Sequence, residues 1–207
     1  KQLFDLKIFS LDGEPVQIDQ SMIILPNGGL ELMAEFDIVI IPGWDELDHR
    51  PDQSLIDALN KAYKQGRQIV GLCYGTYALA YSGLLDGKKA TTHWVAEEDF
   101  CQRFPQIHLD CDALYIEEQN IVTSAGTGAS LDCCLYLVRK FYNAQIANKV
   151  SRIMVIPPHR EGGQAQFIEQ PVAKTGQDAQ INILLDFLRK NLSKKHNIDD
   201  LAEQIHM

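Results

Sequence analysis

The feature that most constrains the fold is a five-residue pattern with a cysteine at its centre. A short apolar run ends in Gly71-Leu72-Cys73-Tyr74-Gly75, the G-x-nucleophile-x-G pattern of a nucleophile elbow. Apolar residues at helical spacing follow it: Ala78, Leu79, Ala80 and Leu84. In such an elbow the central residue lies on a tight turn between a strand and a helix, and the glycines remove Cβ atoms that would clash. The alternative is a buried core cysteine that happens to lie between glycines.

The predicted helix after the elbow has a chemical consequence for Cys73. Its first backbone N–H groups and its positive end point toward the cysteine, which favours the negative charge of a thiolate. We therefore expect Cys73 to react faster with alkylating agents than Cys133 or Cys134. Those two cysteines are adjacent on a predicted helix, where core packing is the default.

Charge and cysteine content bear on the possible classes of protein. The chain of 207 residues has a formal net charge of −9, which disfavours binding to a phosphate backbone. Its five cysteines are odd in number and lack C-x-x-C spacing, which is typical of reduced thiols in a cytoplasm and gives no zinc motif. No apolar run approaches the roughly 18 residues of a membrane span, so no membrane partner is expected.

Strand-like and helix-like segments alternate along the chain. Strands are predicted at residues 3–9, 22–25, 37–41, 69–72, 113–116 and 120–124, and helices at residues 52–65, 94–104 and about 129–142. The alternation favours an open α/β sheet, and the β-branched run at residues 37–41 suits a parallel strand buried on both faces. Ligands bind such sheets beyond the carboxyl ends of the strands. Gly43 and Cys73 both fall there, so one cleft can be lined by both.

A series of ordered motifs resembles a known family. The motifs include Pro42-Gly43-Trp44, Cys73-Tyr74-Gly75, Ala90-Thr91-Thr92-His93-Trp94, Thr123-Ser124-Ala125-Gly126 and Pro157-Pro158-His159-Arg160. In this order they resemble the sensor half of AraC-family transcriptional regulators that carry a PfpI-type, class I glutamine-amidotransferase-like domain. The resemblance implies a three-layer α/β sandwich with a mostly parallel sheet. It also implies that residues 1–173 sense a ligand and form a homodimer, in the cytoplasm.

The tail resembles the opening of an AraC-type DNA-binding domain. Residues 178–207 would be its N-terminal fragment, with the first helix of a helix-turn-helix carrying Ile198, Leu201, Ala202 and Ile205. By this resemblance the recognition helix lies beyond Met207, so DNA would be bound through a C-terminal domain outside this sequence. The family's first strand and helix are likewise expected before Lys1.

The resemblance also indicates where a small-molecule effector binds. The candidate ligand-binding residues are Gly43, Trp44, Cys73, Tyr74, His93, Trp94 and Gly126. Trp44 is either an aromatic wall, useful for a cationic ligand, or a surface packing residue. His93 is either a pocket-wall histidine or the general base for a Cys73 nucleophile.

These observations favour a sensor over an enzyme. The residue two after His93 is Val95, which is not an acid, and the turn expected to supply oxyanion donors carries Trp44. We interpret the chain as the non-catalytic sensor domain of an AraC-family transcription regulator that binds a small metabolite near Cys73, with no cofactor and no metal. The alternative is a cysteine-dependent PfpI-type hydrolase, amidase or deglycase that uses Cys73 and His93. A redox sensor that acts through oxidation of Cys73 is a third reading.

The charge and the expected lack of a recognition helix predict that these 207 residues alone bind operator DNA weakly. Carboxylates repel phosphates, so no tight sequence-specific complex is expected in a gel-shift experiment at physiological salt. Nanomolar, sequence-specific binding by the isolated chain would contradict this prediction.

Overall fold

The structure, a computed structural model, describes residues 2–163, 166, 184, 187–191, 196–198 and 201. By its internal contacts the chain divides into two compact units, Lys1–Gln166 and Phe167–Met207. The functional assignment of residues 1–173 and 178–207 to a sensor and a DNA-binding domain stays a prediction.

The first unit contains eight described strands and five described α-helices. The strands are β1 (Val16–Gln17), β2 (Ile23–Ile24), β3 (Ile38–Ile41), β4 (Gln68–Leu72), β5 (Lys89–Ala90), β6 (His108–Leu109), β7 (Tyr115–Glu118) and β8 (Ile121–Ser124). The helices are α1 (Gln53–Lys64), α2 (Gly75–Tyr81), α3 (Glu97–Arg103), α4 (Thr127–Phe141) and α5 (Ala144–Met154). Two 3₁₀ segments, Leu30–Ala34 and Trp94–Ala96, complete the described elements.

A four-stranded sheet organises the described part of this unit. Its strand order is β3-β4-β8-β7, in which β3, β4 and β8 pair in parallel and β7 pairs antiparallel to β8. The register sets Val39 beside Ile69, and Ile69 beside Ile121. Because the parallel strands run in one direction, their carboxyl ends meet at one edge of the sheet. The predicted mostly parallel sheet is confirmed.

Each face of this sheet has its own apolar core. Helices α1 and α2 pack on one face and α4 packs on the other. Successive side chains of a strand point to opposite faces, so Ile69 belongs to the first core and Val70 to the second. Helices on both faces of a parallel sheet form three layers, as the sequence predicts.

Strand β3 is buried less completely than its sequence suggests. Val39 and Ile41 are buried, whereas Ile38 and Ile40 are only half-buried against the second core. The reason is its position, since β3 is the edge strand of the four-stranded sheet that the structure describes.

The strand predicted at residues 3–9 is wrong. The backbone there has one isolated bridge, between Phe9 and Gly28, flanked by hydrogen bonds from Asn27 N to Ile8 O and from Ser10 N to Gly28 O. An alternating pattern becomes a strand only where a neighbouring backbone supplies a ladder, and the described residues supply that ladder at a single point.

The helical predictions agree with the structure apart from their ends. Helix α1 begins one residue after the predicted start, and the chain turns at Gly66, whose φ of +80° favours glycine. The predicted helix at residues 94–104 is a 3₁₀ turn, Trp94–Ala96, followed by α3. Helix α5 starts at a cap in which Asn143 Oδ1 accepts the Ile146 N–H at 2.9 Å.

The described residues of the second unit have helical backbone at Leu184, at residues 187–190, and at Ile198 and Leu201. Asn191 Nδ2 donates to Phe187 O at 2.8 Å, and Leu201 N donates to Asn197 O at 3.2 Å. Ala202 and Ile205, two of the predicted helix-turn-helix positions, lie outside the described residues. Among the residues that are described, no helix is both long and apolar enough to cross a membrane.

The core assignment predicts unequal effects for two leucine truncations. Leu59 of α1 is fully buried, whereas Leu25 is 73% exposed. Leu59→Ala should lower the free energy of unfolding by about 2–5 kcal/mol because it leaves a cavity, and Leu25→Ala should change it by less than about 0.5 kcal/mol.

Urea unfolding followed by tryptophan fluorescence measures this difference in the first unit, because both tryptophans, Trp44 and Trp94, belong to it. Equal losses in the two variants would contradict the assignment of Leu59 to the core.

Candidate functional site

Cys73 lies at the turn between β4 and α2, as the elbow pattern predicts. Its φ is +53°, in the left-handed region that side chains rarely adopt. The Cys73 N–H donates to Ser124 O at the end of β8, at 3.0 Å. The strained cysteine is therefore held by the neighbouring parallel strand, and its side chain is partly exposed.

Gly75, two residues after Cys73, lets the end of β3 approach the elbow. A Cβ atom at Gly75 would overlap the carbonyl oxygen of Ile41, and it would lie 3.3 Å from the backbone N of Gly43. Only glycine fits there without movement of the backbone. The turn at Gly43 thus lies against the Cys73 elbow, and a cleft lined by both stays a prediction.

His93 has its ring among three of the other predicted ligand-binding residues. A Cβ atom at Gly126 would overlap the imidazole, so that ring lies directly on the Gly126 backbone. Trp94 stacks on the ring with centroids 6.0 Å apart, and the Tyr74 centroid lies 5.6 Å away. Burial, with a further contribution from the Cys73 thiol, raises the pKa of Tyr74, so its hydroxyl is neutral at physiological pH.

A hydroxyl network connects the segment before His93 to the elbow. Thr92 Oγ1 donates to Cys73 O at 3.0 Å, and Thr76 Oγ1 donates to Thr91 O at 3.0 Å. Thr91 N donates to Thr123 Oγ1 at 2.9 Å. Sequence reasoning assigned no role to these threonines. Three of them, Thr76, Thr91 and Thr92, are fully buried, and each makes hydrogen bonds that fix the backbone beside Cys73.

Trp44 occupies a different environment from His93. Its indole Nε1 donates to His49 O at 2.9 Å, and its ring is half-buried against the first core. An open depression of about 410 Å³ is lined by Trp44, Asp45, Glu46 and His49, without Cys73. The structure therefore brings Gly43, Tyr74, His93, Trp94 and Gly126 to the elbow region and directs Trp44 toward this acidic depression.

The protonation pattern of His93 bears on catalysis. His93 Nδ1 accepts the backbone N–H of Val95 at 3.2 Å, so the neutral ring carries its proton on Nε2. No hydrogen bond joins the Cys73 thiol to His93 within the described part of the chain. In this arrangement neither ring nitrogen is an acceptor directed at the thiol.

The expectation that this chain lacks the late His-x-Glu motif of class I glutamine amidotransferases, which spoke against catalysis, is wrong. His159-Arg160-Glu161 has that spacing. The structure pairs Arg160 with Asp132 of α4 at 2.9 Å, while His159 and Glu161 are exposed. The described residues make no hydrogen bond from this triplet to Cys73 or His93. No group of three or more potential metal ligands occurs among them either.

Comparisons with known proteins agree with this geometry. Residues 2–140 match the DJ-1/PfpI family. The chain belongs to the DJ-1/PfpI family. The predicted PfpI-type domain is thereby confirmed.

Two curated relatives of this DJ-1/PfpI chain are regulators from Pseudomonas aeruginosa. The HTH-type transcriptional regulator CdhR is 32% identical over 154 residues, which are 74% of this chain and 46% of that protein. The HTH-type transcriptional regulator GbdR is 23% identical over 207 residues, which are 100% of this chain and 56% of that protein. The chain thus spans about half the length of the curated regulators that it matches.

A solved structure, that of an AraC family transcriptional regulator from Pseudomonas putida, has the same fold. It matches with a TM-score of 0.62 and 23% identity, over 73% of this chain and 81% of that one. This likeness supports the three-layer DJ-1/PfpI architecture.

The burial of the cysteines predicts selective alkylation. Cys73 is partly exposed, whereas burial raises the pKa of Cys133 and of Cys134, which keeps both as poorly nucleophilic thiols. Iodoacetamide at neutral pH should therefore label Cys73 well before Cys133 or Cys134, as measured by peptide mass spectrometry. The exposed Cys101 serves as an internal reference, and equal labelling of Cys73 and Cys133 would contradict the elbow assignment.

Proposed function

We propose that the first unit is the ligand-sensing domain of an AraC-type DNA-binding transcription regulator. The observation that carries the proposal is the extent of the similarity to GbdR. It runs through all 207 residues, whereas the DJ-1/PfpI match ends at residue 140. The sequence similarity to a regulator therefore includes the part of the chain that follows the family match.

The proposed effector site is the elbow region. Cys73, Tyr74 and His93 offer one thiol, one neutral hydroxyl and one imidazole, and Trp94 adds an aromatic face beside His93. The Gly126 backbone lies against the His93 ring, and the backbone N of Gly43 lies beside Gly75 of the elbow. Such a mixture of apolar surface and a few polar groups suits a small metabolite. The acidic depression at Trp44 suits a positively charged group of the effector.

The same geometry supports binding without turnover. Hydrolysis needs a base that accepts the thiol proton and donors that stabilise the oxyanion. The Val95 N–H occupies one nitrogen of His93, and its ring is held by Gly126 and Trp94. A histidine fixed in this way is a wall of the site rather than a mobile base.

The regulator assignment carries further proposals about partners. DNA would be bound through a C-terminal helix-turn-helix domain, of which residues 178–207 are the opening. The sensor domain would form a homodimer, because such modules commonly read repeated half-sites. The protein would act in the cytoplasm, where its five cysteines stay reduced.

A cysteine-dependent hydrolase, amidase or deglycase is the second candidate function. The observation in its favour is the backbone strain at Cys73, since a positive φ at a non-glycine residue is often associated with function. Oxidation of the same thiol would make Cys73 a redox sensor. Both alternatives need the Cys73 sulfur, whereas the proposed sensing function does not.

The two functions predict different behaviour of a Cys73→Ser variant. Amines, amino acids and their derivatives are screened for compounds that raise the melting temperature, since a ligand that binds the native state stabilises it. An effector should stabilise both the unsubstituted chain and Cys73→Ser. A parallel panel of amide, ester and glycated substrates should show no turnover by either protein.

Cys101→Ser is the matched control, since Cys101 is an exposed residue of α3. If the chain turns over a substrate, and Cys73→Ser abolishes this activity while Cys101→Ser retains it, the enzyme function replaces the proposed sensing function. Stabilisation that disappears only in Cys73→Ser would favour a covalent or redox sensor.

A further inference from the structure

After α5, residues 158–163 and 166 of the first unit pack against β7, α4 and the Thr92 segment. These residues are here called the strap. Gly162 O accepts hydrogen bonds from Leu114 N at 2.6 Å and from Tyr115 N at 3.3 Å. A Cβ atom at Gly162 would overlap the Tyr115 carbonyl oxygen, so this approach needs glycine. The strap thereby supplies partners to buried backbone groups at the start of β7.

An ion pair also holds the strap on α4. Arg160 Nε and Nη2 lie 3.0 Å and 2.9 Å from Asp132 Oδ2, and Asp132 is buried. Tyr115 donates its hydroxyl to Arg160 O at 3.1 Å. Because a buried carboxylate is costly without its cation, the Arg160 end of the strap stays docked.

Gln166 forms the other end of the strap and lies among backbone carbonyls. Its side-chain Nε2 is 2.5 Å from Cys111 O, 3.1 Å from Thr92 O and 3.4 Å from Ala113 O. Its backbone N donates to Asp112 O at 2.9 Å. Since all the neighbours of the amide nitrogen are acceptors, the side chain must present its N–H groups to them.

Two side-chain hydrogen bonds connect Gln166 with the Cys73 elbow. The Gln166 amide donates to Thr92 O, and Thr92 Oγ1 donates to Cys73 O at 3.0 Å. His93, the next residue, lies on the Gly126 backbone beside the same elbow. Gln166 is also the last residue of the first unit. The residue that ends this unit therefore contacts the wall of the proposed effector site.

We propose that Gln166 is a positioning residue that couples the elbow to the chain leaving the first unit. A ligand that shifts Thr92 and His93 changes the acceptors around the Gln166 amide, and loss of that amide loosens Thr92 and His93. The inference rests on the proposed sensing function, for which it supplies the route. The proposal makes a prediction at each end of this hydrogen-bonded route, so the effect of Gln166 on Cys73 and the effect of Cys73 on Gln166 are measured separately.

The first experiment follows the coupling from Gln166 to the elbow. Gln166→Glu keeps the shape of the side chain but replaces an N–H donor with a carboxylate facing three carbonyl oxygens. The rate of Cys73 alkylation by iodoacetamide should rise roughly fivefold or more, because the wall beside Cys73 loosens. Gln145→Glu makes the same chemical change at an exposed position of α5, and it should leave the rate unchanged.

The second experiment follows the coupling from the elbow to Gln166 and needs no substitution of Gln166. The unsubstituted chain is carboxymethylated with iodoacetate. Hydrogen exchange is then followed at the backbone N–H of Gln166, which donates to Asp112 O. Exchange should change by roughly fivefold or more upon labelling. A Cys73→Ser chain treated identically corrects for labelling at the exposed Cys101 and should show no change.

Each outcome decides the proposal. A rate for Gln166→Glu that equals the rate for Gln145→Glu overturns it. Unchanged hydrogen exchange in the carboxymethylated chain also overturns the proposal, because a purely structural role of Gln166 predicts no change. This test remains valid even if Gln166→Glu fails to fold. Neither failure touches the sensing function, because the melting-temperature screen tests effector binding independently of Gln166.

Discussion

The parallel pairing of β3, β4 and β8 is the constraint on which the rest of the structure depends. Because these strands run in one direction, the turns that follow them meet at one edge of the sheet. One of those turns carries Gly43, the next carries Cys73, and the third carries Gly126. The hydrogen bond from Cys73 N to Ser124 O fixes the second turn against the third strand. A change of one residue in this register would separate the elbow from the groups that surround it.

Buried polar groups convert this arrangement into a defined site. The hydroxyls of Thr91 and Thr92 donate to backbone oxygens of neighbouring elements, and the Thr91 N–H donates to Thr123 Oγ1, so the His93 segment cannot move alone. Their hydrogen bonds are stronger constraints inside the protein than they would be in water, because an unpaired buried group is costly. Gln166 completes the same network from the far end of the strap. Thr91 Oγ1 and Gln166 Nε2 thus share one acceptor, the backbone carbonyl of Ala113.

The chemistry of the elbow follows from what its histidine already binds. A nucleophilic cysteine needs a partner that accepts its proton, and His93 uses Nδ1 to cap the turn at Val95. Its ring lies on the Gly126 backbone and stacks with Trp94. In this DJ-1/PfpI chain the strained Cys73 therefore lies at the elbow without a hydrogen bond to His93 in the described part of the structure.

Local sequence patterns determined the elements of this protein, and tertiary structure decided the site. The glycines around Cys73 and the β-branched run of β3 predicted the elbow and the parallel sheet, because those signals act within a few residues, whereas the three layers were implied by the family resemblance. The strand predicted at residues 3–9 is wrong because a strand requires a hydrogen-bonding partner strand. Local periodicity carries no information about whether such a partner is present. The roles of Thr92, Arg160 and Gln166 were likewise invisible, since their partners Cys73, Asp132 and Cys111 lie 19, 28 and 55 residues away. Hydrogen bonds between residues so distant in the chain exist only after the sheet and its helices have packed.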